Sequence, residues 1–178
     1  FSAAVLVFSA AGLAHGQVSL SLTSGSAAPG SAVTLGLTLN STATNGPAGL
    51  QWTLGFSTAE VSSLTVTAGP AAAAAAKTLS CVPASGSVRC ILYGLTPAVI
   101  PNGVVANVQV TLTAAATGGA SSPIPLTNIL ATTAGGAAMT TSGGSGVITV
   151  QATDTQAPTA PGTITASAAS ATQINVSW

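Results

Sequence analysis

The chain has 178 residues, room for one domain of ordinary size with short appendages. Charged residues make up 2% of it, against roughly 25% in an average soluble protein, and Glu60, Lys77, Arg89 and Asp154 sum to a net charge of zero. No basic stripe exists to neutralise phosphates, which argues against nucleic-acid binding, and no polybasic patch exists for an anionic membrane. The hydrophobic content is 47%, but much of it is alanine, and no run approaches the ~20 apolar residues of a spanning helix.

Residues 1–16 form a separate segment. AAVLVFSAAGLA (3–14), then small residues around His15, has the form of a secretory signal peptide with its charged n-region missing; cleavage would leave Gln17 first. The lack of an amphipathic pattern argues against an N-terminal helix of the fold.

From Gln17 onward the period becomes two. VSLSL (18–22) and AVTLGLTLN (32–40) alternate and are separated by SGSAAPG. GLQWTLGF (49–56) sets Leu50, Trp52, Leu54 and Phe56 on one face, with Gln51 and Thr53 on the other. LTVTA (64–68) is a shorter candidate. Ala71 to Ala76 is expected to be a connection with a turn or so of helix, because six alanines cannot meet the nucleation cost alone. TLSCV and SVRCILYG flank a PASG turn. VVANVQVTLTA (104–114) alternates at Val104, Ala106, Val108, Val110 and Leu112; IPLTNILAT (124–132) and GVITV (146–150) come next, with a Gly- and Thr-rich loop between them. About nine strands without a long helix predict an all-β fold, an antiparallel β-sandwich over 17–151. Residues 152–161 read as a Pro-containing linker and 162–178 as the two opening strands of an incomplete second sandwich.

The two cysteines sit in the candidate hairpin. Centring it on Ser85-Gly86 pairs 84 with 87, 82 with 89, and Cys81 with Cys90 directly across the strands, within disulfide reach. A closed zinc site needs two more ligands, and with His15 removed the chain has no histidine and no further cysteine. A C-x-x-C redox spacing is absent. The pair therefore reads as a structural disulfide of an exported protein, closing a loop of about ten residues and contributing roughly 2–3 kcal/mol.

The same inventory removes most enzymes. Without histidine there is no Ser–His or Cys–His pair, and the two carboxylates, Glu60 and Asp154, are far apart in sequence. No acidic cluster is present for calcium and no phosphate-cradling Gly-rich loop opens onto a helix, so neither catalysis nor a cofactor is expected.

Several short motifs carry a resemblance. Ala28-Pro29-Gly30-Ser31-Ala32-Val33, the strand Leu50 to Phe56 followed by Glu60-Val61 and Leu64-Thr65-Val66, Asn102-Gly103-Val104-Val105-Ala106, and Gly146-Val147-Ile148 together resemble the cohesin family of cellulosome scaffolds over residues 18–150. The resemblance implies a jelly-roll-like sandwich of about nine strands and a non-catalytic, extracellular binding role, in which one flat sheet face holds a calcium-loaded dockerin of another protein. Ser57-Thr58 stands where the family has an aspartate–proline turn. GTITASAASATQINVSW (162–178), with Pro158 and Pro161 ahead of it and Trp178 at its end, is similar to the start of a fibronectin type III module.

Two orientations of the second hairpin strand are open. With Cys90 inward beside Val88 and Leu92, Arg89, Ile91 and Tyr93 face outward on the same sheet as Gln51 and Thr53 and form a candidate protein contact. The opposite orientation buries Ile91 and Tyr93. Trp52 is expected in the core. Asn40-Ser41-Thr42 and Asn175-Val176-Ser177 are formal glycosylation sequons. The functional expectation is a secreted or cell-surface scaffold module that binds another protein. The alternatives are a carbohydrate-binding accessory module of a polysaccharide-acting enzyme, disfavoured by the few exposed aromatics, and a passive spacer.

Overall fold

The computed structural model describes residues 17–43, 45–152, 156–159, 162 and 164–177. The signal peptide expected over 1–16 with His15, and also Asp154, Pro161 and Trp178, lie outside the described residues.

Alternation becomes strands almost wherever the sequence shows it. In chain order these are β1 (Gln17–Leu22), β2 (Gly25–Ala27), β3 (Ala32–Ser41), β4 (Gly49–Gly55), β5 (Val61–Ala68), the short α1 (Pro70–Ala74), β6 (Thr78–Ala84) and β7 (Ser87–Tyr93). Then come β8 (Gly103–Leu112), β9 (Ser121–Ile124), β10 (Leu126–Thr132), β11 (Thr140–Gly144) and β12 (Gly146–Val150), and finally a hairpin of β13 (Thr165–Ser170) and β14 (Gln173–Ser177). A five-stranded sheet, β11-β1-β3-β8-β5, and a four-stranded sheet, β10-β4-β7-β6, supply the two layers. A three-stranded sheet, β2-β12-β9, completes the sandwich.

The core is one cluster that draws on both layers. Leu20, Leu35, Leu37, Val108 and Val110 come from the five-stranded sheet, and Leu50, Trp52, Leu54, Val88, Cys90 and Leu92 from the four-stranded sheet. Ile124, Ile148 and Val150 extend it from the third sheet. Trp52 is fully buried, as expected, and its Nε1 has no hydrogen-bond partner among the described residues. By contrast, every described residue of β13 and β14 is exposed, because two strands offer no second layer to bury a face against.

The structure departs from the expected fold in strand number, strand direction and one parity. The sandwich contains twelve strands among the described residues rather than about nine, since β2, β9 and β11 carry no clear period in the sequence. It is also not purely antiparallel: β1 pairs β11 in parallel, and β2 pairs β12 in parallel. Segments this short, and as rich in Gly, Ser and Thr as TTSGG, hold their pairing through their neighbours and carry no apolar period of their own. The expected strand 124–132 is two strands because Pro125 lacks an N–H; its carbonyl accepts from Gly55 N at 2.9 Å while the chain passes from one sheet to the other. In β8 a register shift opposite Leu37/Thr38 buries both Val105 and Ala106, so Val104, expected inward, is only half-buried.

The hairpin arithmetic holds residue by residue: Ala84 pairs with Ser87, Val82 with Arg89 and Cys81 with Cys90. Gly86 has φ +70°, which places a left-handed conformation at the second turn position, where glycine carries no Cβ penalty. Cys81 and Cys90 form a disulfide across a Cα separation of 4.1 Å, the close spacing of a non-hydrogen-bonded antiparallel pair.

The alanine run forms a defined element. After α1, Lys77 N donates to Ala72 O at 3.0 Å and Ala76 N to Ala73 O at 2.9 Å, the two bonds of a Schellman C-cap. Ala71, Ala72 and Ala75 are buried against the core. Ala76 occupies the left-handed position of the cap at φ 51°, where glycine is usual.

Two outcomes are expected. Replacing Cys81 and Cys90 together by alanine should lower the unfolding free energy by roughly 2–3 kcal/mol while preserving the β-sheet circular dichroism; an unchanged urea midpoint would show that the clip contributes nothing. Ala76→Gly should raise stability by about 1 kcal/mol, because it relieves the left-handed alanine; a lower midpoint would contradict the cap assignment.

Candidate functional site

The outward face of the four-stranded sheet is set by parity. Leu50, Trp52 and Leu54 of β4 point into the core, so Gln51 and Thr53 point away from it and are half-buried between their neighbours. In β7, Val88, Cys90 and Leu92 are buried while Arg89, Ile91 and Tyr93 are exposed. The orientation that buries Ile91 and Tyr93 is therefore not adopted. Register brings the five residues together: Gln51 lies opposite Ile91 and Thr53 opposite Arg89.

Two side chains that sequence reasoning did not include share this face. Val82 of β6 lies opposite Arg89, and Leu130 of β10 lies opposite Gln51. One row thus reads Leu130, Gln51, Ile91, Ser80 across four strands, and the next reads Thr127, Thr53, Arg89, Val82. Val82 is within reach of the hairpin arithmetic, which pairs it with Arg89. Leu130 is not: a bulge between Thr127 and Leu130 resets the parity of β10. Asn128 takes φ 49° in that bulge, with its Nδ2 3.5 Å from Thr53 Oγ1. Asparagine tolerates the left-handed region better than most residues.

The exposed apolar surface is concentrated here. Val82 is 60% exposed, Ile91 44%, Tyr93 48% and Leu130 59%. Outside the C-terminal hairpin, the other well-exposed large apolar residues of the sandwich among those described are Leu95 and Val99, both in the loop that leaves β7. The opposite layer contrasts sharply. Its outward rows carry Ser19, Thr34, Thr38, Gln109, Thr65 and Thr67, and none of the well-exposed large apolar residues lies on it. Exposed apolar side chains gathered on one sheet face single it out as the candidate interaction site.

The loop after β7 is held from below. Lys77, though buried, has no carboxylate partner among the described residues; its Nζ donates to Thr96 O at 2.9 Å. Its aliphatic stem runs against Gly94, where an added Cβ would come within 3.1 Å of Lys77 Cδ. Further along, Ile100 is buried and its N–H donates to Pro47 O at 2.7 Å. Leu95 is fully exposed, between Gly94 and the anchored Thr96. The Schellman cap of α1 places Lys77 for this contact.

Charge is almost absent from the patch. Arg89 is its one charged side chain. Glu60, the one described carboxylate side chain, sits ahead of β5, where Oε2 accepts from Thr117 N at 3.1 Å. The arrangement offers aliphatic surface, one phenol, an amide, a hydroxyl and a guanidinium on a flat sheet, a set suited to binding a protein surface. No helix among the described residues is long and apolar enough to cross a membrane.

Comparison with known proteins agrees with this architecture. The model of the cohesin domain matches residues 18–150. Among solved structures, the third cohesin of ScaC from Acetivibrio cellulolyticus, in complex with the ScaB dockerin, superposes with a TM-score of 0.67 at 17% identity, covering 76% of this chain and 99% of that one. The sixth cohesin of scaffoldin B from the same organism, in complex with a Cel5 dockerin mutant, gives 0.66 at 15% identity, with 76% and 99% covered. A non-cellulosomal cohesin from the archaeon Archaeoglobus fulgidus gives 0.62 at 12% identity, with 75% and 91% covered. At these identities the likeness is one of fold. No curated protein matches the chain in sequence.

Lys77→Met should keep the packing against Gly94 and remove the donor to Thr96. Exchange of the Ile100 amide, which donates to Pro47 O, is expected to accelerate, with global stability within about 1 kcal/mol of the parent. Unchanged exchange would mean that the loop is held by Ile100 alone.

Proposed function

Because its residues 18–150 match the cohesin model, the chain belongs to the cohesin family, and we propose that it is a non-catalytic extracellular scaffold module that holds a calcium-loaded dockerin-type module of another protein on its four-stranded sheet. The observation that carries this reading is the concentration of Val82, Ile91, Tyr93 and Leu130 on one sheet face, around Gln51, Thr53 and Arg89. Cohesin domains are protein–protein binding modules, and related structures contain a bound dockerin.

The energetics suit such a role. Aromatic, aliphatic and arginine side chains dominate interface hot spots, and a flat sheet face presents them with little rearrangement. Gln51 and Thr53 supply hydrogen bonds that fix the partner's orientation without long-range charge. The module acts outside the cell: residues 1–16 serve as its secretory signal, and the Cys81–Cys90 disulfide persists in an oxidising compartment. Residues 17–151 are the binding module, 152–161 a linker, and 162–178 the opening strands of a fibronectin type III module.

The test is calorimetric titration of the chain with a panel of calcium-loaded dockerin modules, with and without EDTA. At least one should bind in a calcium-dependent way. Ile91→Glu and Leu130→Glu should each weaken it by about 2 kcal/mol or more, as expected of a hot spot, while Thr65→Glu on the opposite sheet should leave it unchanged. No calcium-dependent binding across the panel, or binding indifferent to Ile91 and Leu130, would overturn the reading.

A further inference from the structure

Resting on the reading of this sheet face as the dockerin contact, we infer that Arg89 dictates the charge of the partner: the bound module presents one carboxylate, on an otherwise uncharged contact surface, that pairs with the Arg89 guanidinium.

The position of Arg89 leads to this. It stands in one of the two rows of the patch, with Thr53 opposite it on one side and Val82 on the other, and Ile91 two residues along its own strand. Shallow depressions flank it, one towards Gln51, Ser80 and Ile91, the other towards Thr53, Ala84 and Asn128. Among the described residues it has no ion-pair partner, because the one described carboxylate side chain, Glu60, is bonded to Thr117 N elsewhere. Within the described structure its counter-charge is left to solvent or to a bound partner.

Binding removes the choice of solvent. An apolar partner laid over Val82, Ile91 and Leu130 also covers the guanidinium between them. A charge taken out of water without a partner is costly, and the cost is recovered where an opposite charge meets it in good geometry. A carboxylate does so with two parallel N–H···O bonds, and the Thr53 hydroxyl and Gln51 amide stand beside Arg89 as donors to the carboxylate's remaining lone pairs. A lysine or arginine at the same point of the partner is rejected by like charge. Because the neighbours of Arg89 on this face carry no charge, this single pair discriminates between partners that the apolar contacts would accept alike.

Selection from a yeast-displayed library tests the idea, using one calcium-loaded dockerin module with its surface positions randomised and the full chain as bait. Against the parent chain, Asp or Glu should be enriched at one contact position. Against Arg89→Gln the enrichment should vanish, and against Arg89→Glu it should give way to Lys or Arg. A carboxylate-bearing binder should lose about ten-fold in Kd on the Arg89→Gln chain, the scale of one charge-assisted hydrogen-bonded pair. Binders that are blocked by Ile91→Glu yet show no acidic preference, or an aromatic preference in its place, would overturn the inference and leave the contact face standing. Failure to select any binder blocked by Ile91→Glu would overturn the reading of the face itself. Arg89 is exposed, and an unchanged β-sheet circular dichroism spectrum and urea midpoint verify that each variant is folded as the parent is.

Discussion

The register of the β6–β7 hairpin decides what this protein shows to solvent. Strand side chains alternate, so a slip of one residue would exchange every inward position of β7 for an outward one. Ile91 and Tyr93 would enter the core, and Cys90 and Leu92 would leave it. In most sheets charged residues on the solvent face make such a slip expensive. Here Arg89 is the one charge in either strand of the hairpin, so polar patterning enforces register only weakly. The covalent Cys81–Cys90 pair supplies the missing constraint directly: it closes only when 81 faces 90. Because Cys90 lies opposite Trp52 on β4, the same register is carried into the centre of the core.

That constraint is legible in the sequence because it is local. Ser85-Gly86 marks the turn, the cysteines are equidistant from it, and counting outwards gives every pair down to Val82 and Arg89. The parity of β4 is equally plain, since Leu50, Trp52, Leu54 and Phe56 leave Gln51 and Thr53 no choice of face. The illegible part is non-local. The bulge at Asn128 that turns Leu130 outward is stabilised by contacts reaching from other strands, including Thr141 Oγ1 donating to Ile129 O at 2.9 Å. Of the parallel partners, β2 is too short for a period to show and β11, TTSGG, has no apolar residue to show one. Val104 and Val105 exchange places because β8 bulges where it meets β3; two adjacent valines give no hint of which one will be buried. The candidate site is therefore readable in its two central strands and incomplete at its edges, where tertiary contacts override alternation.

Low charge shapes the binding as much as the fold. Electrostatic steering raises association rates when complementary fields act at long range. With zero formal net charge and one charge on the candidate face, this protein has little field to offer. Its association rate should stay near that of an unsteered encounter, and differences in affinity must then come from dissociation. Slow dissociation comes from well-packed apolar anchors, and the exposed side chains of this face are of that kind. A module of this type gains most from being tethered beside others, where high local concentration replaces steering.

The buried Lys77 shows the same economy at the edge of the site. A lysine inside a protein is costly unless its donors are met, and a carboxylate would be the usual partner. With so few carboxylates in the chain, the ammonium is met by a backbone carbonyl, Thr96 O, which lies in the very loop that presents Leu95. Burying the lysine and placing the loop are thereby linked, since the ammonium's hydrogen bond is to that carbonyl. The C-cap geometry of α1 sets where that lysine emerges, at the cost of holding Ala76 left-handed. A five-residue helix that looks like a mere connection in the sequence thus acts, through Lys77, on the shape of the surface 19 residues further along the chain.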